Sequence, residues 1–140
     1  MRRVGTAFWE GDLKSGKGVI SAESGAFKNV PYNFSKRFEQ EPGTNPEELI
    51  GAAHAACFSM DLSGGLAANG TIAKEIETSA TVTLEFVDGA ATITRIDLHC
   101  HAQVPGCSAE KFAEIAEKTK KTCPVSRLLK CEITLHAHLV

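Results

Sequence analysis

The sequence contains no apolar run approaching the roughly 18 residues that a membrane-spanning helix needs. Its start, Met1-Arg2-Arg3-Val4-Gly5-Thr6, leads into Trp9-Glu10-Gly11-Asp12, so neither export nor membrane insertion is expected, and a cytoplasmic location is. A basic excess is also missing. With a formal charge of -2 and a pI near 6.2, a nucleic-acid or membrane-surface partner is not expected, because either would ask for a basic patch. The five cysteines, at 57, 100, 107, 123 and 131, do not form a disulfide framework. An odd number without regular spacing suits a reducing compartment, where thiols are reactive or simply buried and at most two need be chemical. Repeats and linkers are absent too. What is present, 43% hydrophobic and 23% charged residues in a chain of 140, is enough for a single domain over 1–140 to bury a core without staples.

The pattern along the chain is α+β. Residues 1–40 read as short strands broken by turns at Gly16-Lys17-Gly18, Ser21-Ala22-Glu23-Ser24-Gly25 and Val30-Pro31-Tyr32, an N-terminal β-meander. Gly43-Thr44-Asn45-Pro46-Glu47-Glu48 then announces a helix: Asn45 can cap it, Pro46 suits its first position, and two carboxylates sit near the positive end of its dipole. That helix runs through Cys57 and fades near Gly64-Gly65 or Asn69-Gly70. Its small residues predict a central, buried helix that another helix can approach closely. Period two returns at Thr81–Phe86 and Ile96–Val104, with a turn at Asp88-Gly89, predicting an antiparallel hairpin. Ser108 can cap a further helix with apolar positions Phe112, Ile115, Ala116 and Thr119, which Cys123-Pro124 breaks. Residues 125–130 allow one more helical turn before a final strand from Cys131 to Leu139.

Two cysteines stand in suggestive settings. Cys57 lies eleven residues beyond Pro46, too deep in its helix for the dipole to lower its pKa, so a thiolate there needs a cationic side chain. Arg37, in Phe34-Ser35-Lys36-Arg37-Phe38, is the nearest upstream arginine in an aromatic setting, with Lys36 then pointing outward. Cys123 occupies the N-cap position before Pro124, where backbone N–H groups of the next turn can stabilise a thiolate. Cys100 and Cys131 fall on apolar strand faces and Cys107 follows a Pro-Gly turn, settings of small hydrophobes. On local signals alone Cys57 is more often a packed core thiol, and enzyme and core readings both stand.

The same residues resemble the osmotically inducible protein C and organic hydroperoxide resistance (OsmC/Ohr) family of thiol peroxidases over nearly the whole chain. The resemblance is carried by Trp9-Glu10-Gly11, by the run from Thr44 through Cys57 to Ser59, and by Cys123-Pro124-Val125-Ser126 with Leu129-Lys130 and the last strand. Glu48 and Ala53-His54, in place of Gln and Gly-Tyr, look more like the OsmC branch. The resemblance implies an OsmC-like fold of antiparallel sheets wrapped around central helices, and an intertwined homodimer with two sites at its interface. It implies a peroxidatic Cys57, a resolving Cys123, an activating Arg37 and a Glu47 that pairs with that arginine. It further implies reduction of organic hydroperoxides, and hydrogen peroxide less well, in stress defence. The reductant would be an external dithiol, either a lipoyl-bearing protein or a small dithiol, with no metal, flavin or haem.

A geometric reason for a shared site accompanies the resemblance. Glu47 and Cys57 are ten residues apart on one helix, about 15 Å along its axis, so one Arg37 does not easily serve both within a chain. Helices packed antiparallel about a two-fold axis would bring Cys57 of one copy toward Arg37 and Glu47 of the other. Three rival readings remain. A cysteine hydrolase would use His54, three residues before Cys57, as its base, but a helix interior offers no oxyanion hole. A metal-binding module would gather His99, His101, His136 and His138, although the polar residues sharing those faces fit a solvated sheet better. The last is a catalytically inactive ligand- or metal-binding member of the same fold.

Overall fold

A computed structural model describes all residues, 1–140, as two compact units, Met1–Leu49 and Ile50–Val140. In the first unit β1 (Gly5–Glu10), β2 (Lys17–Ala22) and β3 (Val30–Tyr32) form the expected antiparallel meander in that order. Asp12 closes the first turn, its Oδ1 accepting the N–H groups of Lys14 and Ser15 at 2.9 Å each. Gly18 in β2 is required by crowding: a Cβ there would come within 2.4 Å of the Phe8 carbonyl oxygen and 2.6 Å of the Tyr32 ring. The space it leaves lets Trp9 and Tyr32 meet with ring centroids 5.3 Å apart. A short helix not foreseen from the sequence follows, α1 (Phe34–Phe38), started by Asn33, whose Oδ1 accepts the Lys36 N–H at 2.8 Å.

Helix α2 (Pro46–Ala68) begins where expected, with Asn45 Oδ1 accepting the Glu48 N–H at 2.9 Å. It ends in a Schellman motif. The Thr71 N–H bonds the Leu66 carbonyl, the Gly70 N–H bonds the Ala67 carbonyl, and Gly70 takes the positive φ of 83° that the motif demands. Strands β4 (Glu75–Val87) and β5 (Ala90–Gln103) make the hairpin, turning at Asp88 and Gly89 with φ of 50° and 80°, the two left-handed residues of a type I′ turn. Helices α3 (Ala109–Thr122) and α4 (Pro124–Leu128) lead to β6 (Glu132–Leu139).

The α+β architecture holds, with one correction to the expectation of antiparallel sheets: β6 lies parallel to β5, Ile96 opposite Ile133 and Leu98 opposite Leu135. A hairpin forces antiparallel pairing, whereas a helical crossover such as α3–α4 returns the chain to the same end of the sheet and permits parallel pairing. One face of β5, comprising Ile96, Leu98, Cys100 and Ala102, forms a core with Phe58, Leu62 and Leu66 of α2 and Phe112, Ile115 and Ala116 of α3. Contact between α2 and β4 is intimate: a Cβ on Gly51 would sit 3.0 Å from the Ala80 carbonyl oxygen, and Ser59 Oγ donates to Thr78 Oγ1 at 2.8 Å.

Burial on α2 is one-sided rather than complete. Gly51, His54, Phe58, Leu62 and Leu66 repeat every three or four residues on the buried side, while Ala52, Ala53, Ala56 and Met60 are exposed. Leu62→Ala therefore removes a fully buried side chain from the middle of the core and should cost about 2–5 kcal/mol by urea unfolding. Ile72→Ala, at a residue 72% exposed, should change stability by less than about 0.5 kcal/mol.

Candidate active site

Each unit holds one group of candidate site residues. In the first, α1 presents Arg37 to Glu47 in the opening turn of α2. Arg37 Nη2 donates to Glu47 Oε1 at 2.8 Å, and Nε donates to the same oxygen at 3.1 Å. The carboxylate is buried, 7% exposed, whereas the arginine side chain keeps about a third of its surface. Local packing fixes this pair. The Phe34 and Phe38 rings lie 4.9 Å apart, the guanidinium stands 5.1 Å from the Phe38 ring centre, and Asn45 Nδ2 donates to the Lys36 carbonyl at 3.1 Å. Lys36 does not point outward as expected. It pairs with Glu41, and its stem crosses Gly43, where a Cβ would come within 2.6 Å of the Lys36 Cδ. Beside Arg37 lies a cleft of about 280 Å³ walled by Trp9, Leu13, Tyr32, Asn33, Phe34 and Phe38.

In the second unit Cys57, on α2, meets Cys123, at the corner between α3 and α4, with their sulfurs 2.9 Å apart. Both thiols are free. A disulfide bond of about 2.05 Å is within roughly 1 Å of sulfur movement. Cys123 is fully buried, while Cys57 is partly open to a groove of about 380 Å³ between α2 and α3, lined by Met60, Asp61, Gly64, Gly65, Ile115, Lys118 and Thr122 among others. Thr122 Oγ1, donating to Asp61 Oδ2 at 3.0 Å, ties the end of α3 to α2 near this pair.

Burial pushes the Cys57 thiol above its ordinary value, and the adjacent Cys123 sulfur and the Asp61 charge add to the rise. The backbone N–H of Val125 opposes it by hydrogen bonding to the Cys57 sulfur. No cation is among these influences, so this environment by itself keeps Cys57 a thiol at neutral pH. Cys123 does stand at the N-cap of α4, but it makes no side-chain capping bond; the first-turn N–H serves Cys57 instead. Cys100 is fully buried with its pKa raised by that burial, as a core thiol should be, and Cys131 packs against the same core.

His54 faces away from hydrolase chemistry. Its Nε2 is 2.8 Å from Ser126 Oγ, its Nδ1 is buried without a partner, and burial lowers its pKa, keeping the ring neutral. The four strand histidines pair as exposed stacks across β5 and β6, His99 with His136 at 4.7 Å and His101 with His138 at 5.2 Å. No group of three or more His, Cys, Asp or Glu side chains converges to hold a metal.

Sequence reasoning missed Val125 and Ser126 as neighbours of the thiols. One signal was available: His54 precedes Cys57 by three residues and Ser126 follows Cys123 by three, so each thiol shares a helix face with one polar side chain.

The family model described as OsmC-like protein matches residues 38–137. The chain is 52% identical over 139 residues to Peroxiredoxin OsmC of Escherichia coli (strain K12), covering 99% of this chain and 97% of that one, and equally to the Shigella flexneri protein of that name. Among solved structures, an OsmC like protein from Mycoplasma pneumoniae superposes with a TM-score of 0.76 at 18% identity, covering 100% of this chain and 98% of the other. The Organic Hydroperoxide Resistance Protein OhrB of Bacillus subtilis does so with 0.67 at 20% identity, covering 98% of each.

The ion pair of the first unit generates a direct test. Arg37→Ala leaves a buried carboxylate without its guanidinium and should cost about 1–3 kcal/mol in urea unfolding. Adding Glu47→Gln to that variant should recover part of the loss, since the stranded charge is gone; equal and additive losses would mean the pair is uncoupled.

Proposed function

The chain belongs to the OsmC-like family, on its OsmC branch, and from that premise we infer that it is a cysteine-based peroxidase that reduces organic hydroperoxides. The observation that carries this reading is the 2.9 Å approach of Cys57 and Cys123 in a chain 52% identical to a peroxiredoxin. In the proposed cycle the Cys57 thiolate attacks the distal hydroperoxide oxygen. The O–O bond breaks, the alkoxide takes a proton and leaves as alcohol, and Cys57 becomes a sulfenic acid. Cys123 attacks the sulfenic sulfur, its thiol proton departs with the hydroxyl as water, and a disulfide closes. An external dithiol then restores both thiols by exchange, ending as a disulfide itself. A lipoyl-bearing protein or a small dithiol fits that role, and a cytoplasmic location fits the free thiols.

The step that burial opposes is formation of the Cys57 thiolate, so a cation must be brought to it. We assign this to Arg37 of a second copy in a homodimer. Glu47 engages Nε and Nη2 of the guanidinium, leaving Nη1 for a sulfur anion. The exposed, small and apolar side of α2 (Ala52, Ala53, Ala56, Met60) offers a surface that a second α2 can approach closely. The aromatic cleft beside Arg37 would arrive with it and supply apolar walls for an organic substrate, favouring it over hydrogen peroxide. Glu47 acts by orienting Arg37.

Stopped-flow mixing of pre-reduced protein with cumene hydroperoxide should give fast, stoichiometric loss of peroxide, slower loss with hydrogen peroxide, and only the background rate for Cys57→Ser. A parent no faster than that variant would refute the peroxidase. Arg37→Ala should lower the rate by about a hundredfold or more, as loss of one preorganised charge does. Mixing Arg37→Ala with Cys57→Ser chains should restore activity to roughly one site per heterodimer; no recovery would place the arginine in the same chain as its thiol.

A further inference from the structure

Ser126 is the one buried residue of α4, whereas Pro124, Arg127 and Leu128 are exposed, Leu128 at 77%. This five-residue helix begins directly after the resolving-position Cys123 and carries the Val125 N–H that bonds Cys57. Its side-chain anchor is a buried hydrogen bond, Ser126 Oγ to His54 Nε2 at 2.8 Å, with His54 fully buried on α2 one turn before Cys57. Two rungs thus join α2 to the α3–α4 corner, Cys57 to Cys123 and His54 to Ser126. The histidine rung has a cost, since Nδ1 is buried without a partner. An apolar pair of the same volume would pack without that penalty.

We propose that His54 and Ser126 are positioning residues for disulfide closure, clamping the corner that carries Cys123 in register with Cys57 while Cys57 is a sulfenic acid. This rests on the peroxidase reading above and deepens it. During that interval the sulfurs are not yet bonded and a second hydroperoxide competes for the sulfenic sulfur, giving sulfinic acid. The clamp sets the outcome of that competition: Cys123 held in place attacks first, the S–O bond breaks, and water leaves.

The test compares the parent with Ser126→Ala, with His54→Leu, which fills the site without the bond, and with His54→Gln, whose amide can donate to or accept from the Ser126 hydroxyl. Sulfenic acid formation should stay within about twofold of the parent, while disulfide closure slows about tenfold, the worth of one buried hydrogen bond. The sulfinic fraction of Cys57 at excess hydroperoxide should rise in step, and His54→Gln should recover part of the parent behaviour. A second arm needs no peroxide: Cys57 is tagged as a mixed disulfide with an aromatic thiol, and its expulsion by Cys123 is followed by absorbance. That release should slow by the same factor. Release at the parent rate in both Ser126→Ala and His54→Leu overturns the clamp, and so does equal slowing of sulfenic formation and closure, which marks general loosening. If the parent forms no sulfenic acid with hydroperoxide, the peroxidase reading fails, and the aromatic arm still judges the clamp.

Discussion

Much of the chemistry depends on how α2 is seated. Its buried side, from Gly51 through His54, Phe58 and Leu62 to Leu66, packs against β4, β5 and α3, and close passage of Gly51 over the Ala80 carbonyl fixes its height. Cys57 lies beside that buried stripe, partly open to the α2–α3 groove. A slip of α2 by one residue would rotate the thiol by about 100° and carry it away from Cys123. Core packing sets the position of Cys57, and the His54–Ser126 bond joins α2 to the corner that carries Cys123, with the two sulfurs 2.9 Å apart.

That seating has an electrostatic consequence. The same core that delivers Cys57 to Cys123 takes it partly out of water, and its thiol is raised rather than lowered. A fast thiol peroxidase needs the opposite, so the two requirements are divided between two places in the sequence. Helix α2 supplies Cys57, the α3–α4 corner supplies Cys123, and the opening turn of α2 supplies the carboxylate that holds Arg37. Glu47 and Cys57 are ten residues apart in the sequence, and the dimer proposed above is the arrangement that would bring a guanidinium to the thiol.

What was legible in the sequence is what local chemistry dictates. Asn45-Pro46 at the start of α2, Asp88-Gly89 at the hairpin and Ser108 before α3 all act where they stand, because caps and turns depend on a few adjacent residues. The four apolar positions expected on α3 are its four buried ones. The parallel course of β6, the one-sided burial of α2 and the clamp between His54 and Ser126 depend on contacts between distant segments, which periodicity does not encode. Helix α1 escaped because five residues are too few to display a period, and two flanking phenylalanines read as well in a loop. Of the residues that the family resemblance singled out, Arg37 pairs with Glu47 and Cys57 lies 2.9 Å from Cys123. The raised Cys57 thiol was not legible, since burial is a property of the fold.

If Cys57 and Cys123 form the redox couple, peptide mass mapping after one equivalent of cumene hydroperoxide will find them joined. The expected result is loss of two hydrogens from the reduced chain and a single new linkage, Cys57 to Cys123, with Cys100, Cys107 and Cys131 still alkylatable after denaturation. A linkage through any of those three, or oxidation that leaves Cys57 unmodified, would contradict it.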